Sequence, residues 1–418
     1  MKREEMIIAN MNYLSRICIY FILLIALCNS SYTQAYTNTN QKRGVLIESS
    51  FVKRISVNEI NGLFPEKSKL DQDITHIPKY DIDLYRLVYR SIHNGKLENL
   101  SGLVVVPVRI AAAPHMQYHH GTMFPFPHPN GEGSLDAPSF YKGLLPKEAD
   151  AQYETRLFGN YLGSYGYLVS LPDYAGYAES AHLEHPYSVN PRLAEQSVDM
   201  ILATREFCEQ KNIKLNKKLF LSGWSEGGAA CVAVQKLIEK EYKSKIEVTA
   251  NAPLAGFYNT IPYLKPFLNF GPFIGKDYGE DLDVMIWTLY TVNSFSPEPV
   301  SFDKVFKFEV KNQLDVLKNR PSSRPKKIMK WLWFKNKKRI VQMFRESCLH
   351  EGWSPKAPIY VHHGTDDDIV FYDKNVEVMV NNLNKEGGKV VLRKYDGHDH
   401  YSLALLYFLS MIEDFSKF

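Results

Sequence analysis

Residues 220–234 read FLSGWSEGGAACVAV. An apolar, β-prone run passes straight into small and branched residues at helical spacing, with Ser225 at the junction between Gly223 and Gly227. Both runs are too apolar for a solvated surface, so a buried strand has to turn directly into a buried helix. That join requires a sheet whose strands end beneath helices, and glycines where the two backbones come close.

The remaining chain fits such a sheet. "DIDLYRLVYRSI" and "NLSGLVVVPV" alternate like an antiparallel pair, with a turn at Asn94-Gly95. "HMQYHHGTMF" reads as a short strand ending at Gly121, followed by an irregular Pro/Gly/His loop over 124–138. A strand is predicted at Tyr167–Leu171, stopped by Pro172, then a helix over "PRLAEQSVDMILATREFCEQ" and a strand in "IEVTANAPLAG". "APIYVHHG" and "KVVLRKY" read as later strands; "YDKNVEVMVNNLNKEG" and "YSLALLYFLSMIEDF" read as helices. The alternation predicts a mostly parallel sheet covered on both faces, with the opening hairpin as its antiparallel edge. A polar stretch (36 to about 53) precedes it. From about 257 to 355 scattered Pro, Phe and Tyr break the rhythm, which predicts a cap inserted into one domain spanning 36–418.

At 418 residues and 45% hydrophobic, the chain can bury a sizeable core. The net charge of +4 gives no reason to expect a nucleic-acid partner. Lys2, Arg3 and Arg16 lead into "ICIYFILLIAL" (17–27), too short to span a membrane comfortably. This pattern predicts a signal peptide over 1–35, cleaved after Ala35, and export to the medium, periplasm or cell envelope. Lipidation at Cys28 is the weaker alternative, because the bulky Leu27 precedes it. Cys208, Cys231 and Cys348 remain after the leader. An odd number without a CxxC spacing suits small core residues better than a disulfide framework or a metal centre.

Gly223-x-Ser225-x-Gly227 has the spacing of a nucleophile elbow. Such a turn lifts the serine hydroxyl to a helix N-terminus, where the N–H of Glu226 can hold an oxyanion. Gly223, Gly227 and Gly228 remove side chains that would collide there. A serine hydroxyl needs a base to take its proton. On such a sheet the acid and then the histidine follow the serine in the chain. The strand "PIYVHHG" ends in Thr365-Asp366-Asp367-Asp368, and "VVLRKY" ends in Asp396-Gly397-His398-Asp399-His400. Acid and histidine candidates therefore stand at the C-terminal ends of strands, where such sheets build their sites.

"GWSEGG", "YHHGT", "SYGYLVSLPDYAGYAES" and "HHGTDDDIV" together resemble the α/β-hydrolase superfamily. More narrowly the chain is similar to secreted lipase/esterase-type hydrolases, including the secretory lipase group, from about Asp81 to the C-terminus outside the cap. The resemblance implies ester hydrolysis through an acyl-enzyme, with no cofactor and no metal. His363-Gly364-x-x-Asp367 matches the family's acid motif and implies Asp367, flanked by Asp366 and Asp368. His400, directly before the last helix, is the implied base, with His398 as alternative. His120-Gly121-Thr122 implies Thr122 as the second oxyanion donor beside Glu226. The pairs His119/His120 and His362/His363 lie in predicted core strands and lack zinc-ligand spacing.

In the cap, Phe267, Phe270, Phe273, Trp287 and Tyr290 are candidates for an apolar wall over the site, or for attaching the cap to the sheet. Lys318–Arg339 holds ten Lys/Arg and no acid, together with Trp331, Trp333 and Phe334. It is a candidate contact with an anionic membrane surface, against the plainer reading of a solvated face. Two rival functions share this scaffold: a serine exopeptidase of the prolyl-oligopeptidase-like kind, and a non-catalytic binding protein. Too few residues precede the catalytic strands for the propeller of the first, and the complete Ser, Asp and His set argues against the second.

Overall fold

The computed structural model describes residues 42–63, 78–125, 136–146, 151–268, 279–318, 330 and 336–418. Nine strands build one sheet: β1 (Leu46–Ile55), β2 (Ile82–His93), β3 (Lys96–Pro107), β4 (Ala113–His119), β5 (Leu168–Pro172), β6 (Leu215–Trp224), β7 (Ala250–Leu254), β8 (Ile359–Gly364) and β9 (Val390–Tyr395). Their order across the sheet is β1-β2-β3-β5-β4-β6-β7-β8-β9. From β5 to β9 every neighbouring pair is parallel. β1, β2 and β3 form the antiparallel edge. Asn94 and Gly95 close the β2–β3 hairpin with φ of 48° and 77°. Positive φ at both central residues gives the turn whose twist matches paired strands.

Helices cover both faces. Leu219 and Leu221 of β6 face a core shared with α2 (Asn190–Gln210), α3 (Glu226–Leu237) and α7 (Glu377–Lys385). Phe220 points the other way, into a core with α1 (Gln152–Tyr165) and α8 (Ala404–Phe415). This two-residue alternation with apolar side chains on both faces explains why β6 reads as a continuous apolar run.

Two elements depart from the sequence reading. The polar stretch runs into β1, an edge strand whose only buried residues are Leu46 and Ile55. Such a strand needs few apolar residues, so its pattern is weak. Helix α1 also went unread, because Gly159, Asn160, Gly163 and Ser164 dilute its apolar stripe. Those small residues let the helix lie close to the sheet, since a Cβ on Gly163 would come within 2.4 Å of Val105 Cγ1 of β3.

The chain leaves the sheet after β7 and returns at β8. In between lie α4 (Ile261–Leu268), α5 (Gly279–Ser294) and α6 (Lys337–Glu346). They share a separate core that includes Leu264, Ile286, Leu289, Ile340 and Phe344.

Candidate active site

Ser225 sits between β6 and α3 with φ 57° and ψ −116°. This is a strained conformation for a residue with a side chain, of order 1–3 kcal/mol. Its N–H donates to the Leu254 carbonyl of β7 at 2.9 Å, which ties the bend to the neighbouring strand. A Cβ on Gly223 would overlap the Gly227 carbonyl, and one on Gly227 would overlap the carbonyl of His119 in β4. On Gly228 it would come 2.5 Å from Leu254 O. Glycine at these positions is a steric requirement of two backbones crossing at the bend.

Asp367 lies on the loop after β8. Its Oδ1 accepts the N–H groups of Ile369 at 3.0 Å and Val370 at 2.7 Å. The Val370 carbonyl in turn accepts from His363 Nε2 at 2.8 Å, so the strand-end histidine braces the loop. Burial pushes the His363 imidazole down to about 4, which keeps it neutral. The free oxygen of Asp367, Oδ2, stands 2.8 Å from His400 Nδ1, and both side chains are buried. With Nδ1–H donating to the carboxylate, Nε2 is left as the basic nitrogen. The His400 ring packs against Trp224, the residue before Ser225, at 5.8 Å between centroids. His398 makes a different contact: among the described residues its Nδ1 meets Ser402 Oγ at 3.3 Å and no carboxylate. Asp366 and Asp368 are exposed, and Asp366 accepts from Thr365 Oγ1 at 2.8 Å.

Gly121 and Thr122 follow β4, next to Ser225. A Cβ on Gly121 would lie 3.7 Å from Ser225 Cβ. Thr122 Oγ1 is 2.9 Å from the Tyr187 hydroxyl, and Tyr187 stacks on Trp287 of α5 at 4.1 Å. Trp287 donates from Nε1 to Gln313 Oε1 at 3.1 Å, and Tyr290 from its hydroxyl to Glu184 Oε1 at 2.7 Å. Both aromatics therefore attach the excursion between β7 and β8 to the loops around the site.

Sequence reasoning missed two side chains. His185 donates from Nδ1 to the Ala175 carbonyl at 2.9 Å, and its Nε2 lies 2.8 Å from Glu226 Oε1, with both side chains fully enclosed. The residue whose N–H was assigned to the oxyanion is thus held through its side chain as well. Glu154 of α1 reaches Gly121. His185 lies in "HPY" (185–187), which has no catalytic spacing of its own, and Glu154 sits in helix α1, whose small residues hide its pattern.

The histidine pairs are structural in their contacts: His119 Nδ1 donates to Ser222 O at 3.0 Å, and His362 Nδ1 meets the Tyr395 hydroxyl at 2.9 Å. Among the described residues no three His, Cys, Asp or Glu gather as a metal site. Cys208, Cys231 and Cys348 are buried and free. The leader with Ala35 and Cys28, the rings of Phe267, Phe270 and Phe273, and Trp331, Trp333 and Phe334 with most of 318–339 fall outside the described residues. No described helix is long and apolar enough to cross a membrane.

Solved structures place this architecture. A Legionella pneumophila protein classed as a hydrolase superposes with a TM-score of 0.69 at 20% identity, over 89% of this chain and 97% of its own. The rice cell wall degrading esterase LipA of Xanthomonas oryzae gives 0.67 at 18%, over 89% and 96%. This chain has the α/β-hydrolase fold. Candida antarctica lipase A, at 0.64 and 17% identity over 89% and 82%, shares that fold. Residues 147–263 of this chain match the secretory lipase family. That stretch runs from α1 through the elbow to α4. No curated protein matches the sequence.

Proposed function

We propose that the protein is an exported carboxylic-ester hydrolase working through an acyl-enzyme on Ser225. The observation that carries this reading is the buried 2.8 Å contact of His400 Nδ1 with Asp367, its ring against the residue preceding Ser225. His400 Nε2 takes the serine proton as Oγ attacks the ester carbonyl. The N–H groups of Thr122 and Glu226 hold the oxyanion, and the imidazolium gives its proton to the departing alcohol. Asp367 keeps the imidazole in the Nδ1–H tautomer throughout. Water, activated by the same nitrogen, then releases the acid.

Residues 257–355 act as a cap over the acyl side, joined to the oxyanion loop through Trp287, Tyr187 and Thr122. The match to the secretory lipase family supports ester substrates and export. The test is a panel of p-nitrophenyl esters run against amino-acyl anilides, with fluorophosphonate labelling. Ester turnover and labelling that both vanish in Ser225→Ala support the reading; ester turnover unchanged in that variant sinks it.

A further inference from the structure

Gly121 is the joint of the proposed oxyanion loop, and a residue without a Cβ has the freest backbone of all. Two side chains hold it. His120 Nδ1 lies 2.7 Å from Gly121 O, and since a carbonyl only accepts, the ring nitrogen donates. A trans peptide sets C=O and the next N–H on opposite sides, so anchoring this carbonyl aims the Thr122 N–H the other way. The N–H of Gly121 itself meets Glu154, 3.1 Å from each of Oε1 and Oε2. Oε1 also accepts the Tyr118 hydroxyl at 2.8 Å. Glu154 as a whole residue is half-buried, and its carboxyl lies next to the nucleophile: one point above Gly121 lies 3.1 Å from Glu154 Oε2 and 3.7 Å from Ser225 Cβ.

We propose that Glu154 is a positioning residue of the reaction: as a neutral acid it fixes the oxyanion loop through Gly121, and when ionised it opposes the oxyanion. This rests on the reading of Ser225 and Thr122 given above. Neutral, its Oε1 accepts from both Gly121 and Tyr118, so the clamp does not need the charge. Ionised, it places an anion beside the site where negative charge develops. Burial pushes the Glu154 carboxyl up to about 7, against the hydrogen bonds from Tyr118 and Gly121 and aided by Glu226. The groups facing it are the phenols of Tyr118, Tyr174 and Tyr407, all raised by burial, and the Glu226 carboxyl paired with His185.

The test is kcat and KM for p-nitrophenyl butyrate from pH 5 to 9, after Ser225→Ala has been shown to be inactive. The wild type loses turnover as pH rises through about 7. Glu154→Gln, whose amide oxygen can accept both bonds, keeps kcat within about threefold at pH 6 and lacks the alkaline decline. Glu154→Ala lowers kcat about 100-fold with KM nearly unchanged. Tyr118→Phe removes a bond to the carboxyl and moves the decline to higher pH. An alkaline decline that persists in Glu154→Gln overturns the proposal, even if Glu154→Ala does not fold. A Ser225→Ala variant that still turns over overturns the underlying reading instead.

Discussion

Nδ1 of His400 and Oδ2 of Asp367 meet at 2.8 Å across 33 positions of sequence, while His398, two residues away, faces Ser402. Asp367→Asn would present an amide to the ring and favour the wrong tautomer. Turnover of p-nitrophenyl butyrate is expected to fall about 10⁴-fold with the melting temperature little changed. His400→Ala should be equally inactive and His398→Ala close to wild type. A dead His398→Ala beside a working His400→Ala would reverse the assignment.

The glycines separate steric need from backbone freedom. Gly227→Ala drives a methyl into the His119 carbonyl and is expected to destabilise by about 3 kcal/mol or more, or to leave the protein insoluble. Gly95 has φ 77° but nothing within 4 Å of its would-be Cβ, so Gly95→Ala should cost only about 1–2 kcal/mol. Urea denaturation of the two variants checks the ranking.

His185 Nε2 and Glu226 Oε1 meet at 2.8 Å in a fully enclosed pair, and Glu226 Oε2 has no partner among the described residues. His185→Ala leaves a buried carboxyl alone and should cost about 3–5 kcal/mol. Adding Glu226→Gln removes the orphaned acid and should recover part of that loss. A double-mutant cycle with no coupling would show that the pair does not act as a unit.

Five enclosed histidines set an acid limit on stability. Burial lowers His115, His120 and His362 to about 3, and His119 and His363 to about 4. Their folded pKa values lie below the ordinary 6.5, so the unfolded chain binds more protons between those limits. Stability is therefore fully present above about 6.5 and falls as pH drops toward 4, by up to about 1.4 kcal/mol per pH unit for each group. The urea midpoint at pH 5 should lie clearly below that at pH 7; equal midpoints would show that the rings take up protons in the folded state.

The sequence by itself determined whatever depends on local spacing. Alternation marked β2 and β3, short apolar runs bounded by turn residues marked β4 to β9, and helical spacing marked most of the helices around them, because burial on one sheet face is written into alternate residues and burial on both into unbroken runs. The glycines beside Ser225 were legible because backbones crossing at a bend leave no room for a Cβ. An aspartate loop after β8 and two histidines after β9, following Ser225 in that order, were legible because strand ends are where loops reach a site on such a sheet. Edge strand β1 and helix α1 were not, since one buries little and the other packs through small residues.

Only the tertiary structure decided which histidine meets Asp367, that Glu154 clasps Gly121, and that His185 reaches Glu226. Each of these is a pairing of side chains distant along the chain, and the strength of a hydrogen bond or buried charge depends on separation in space, which no local pattern of residues encodes.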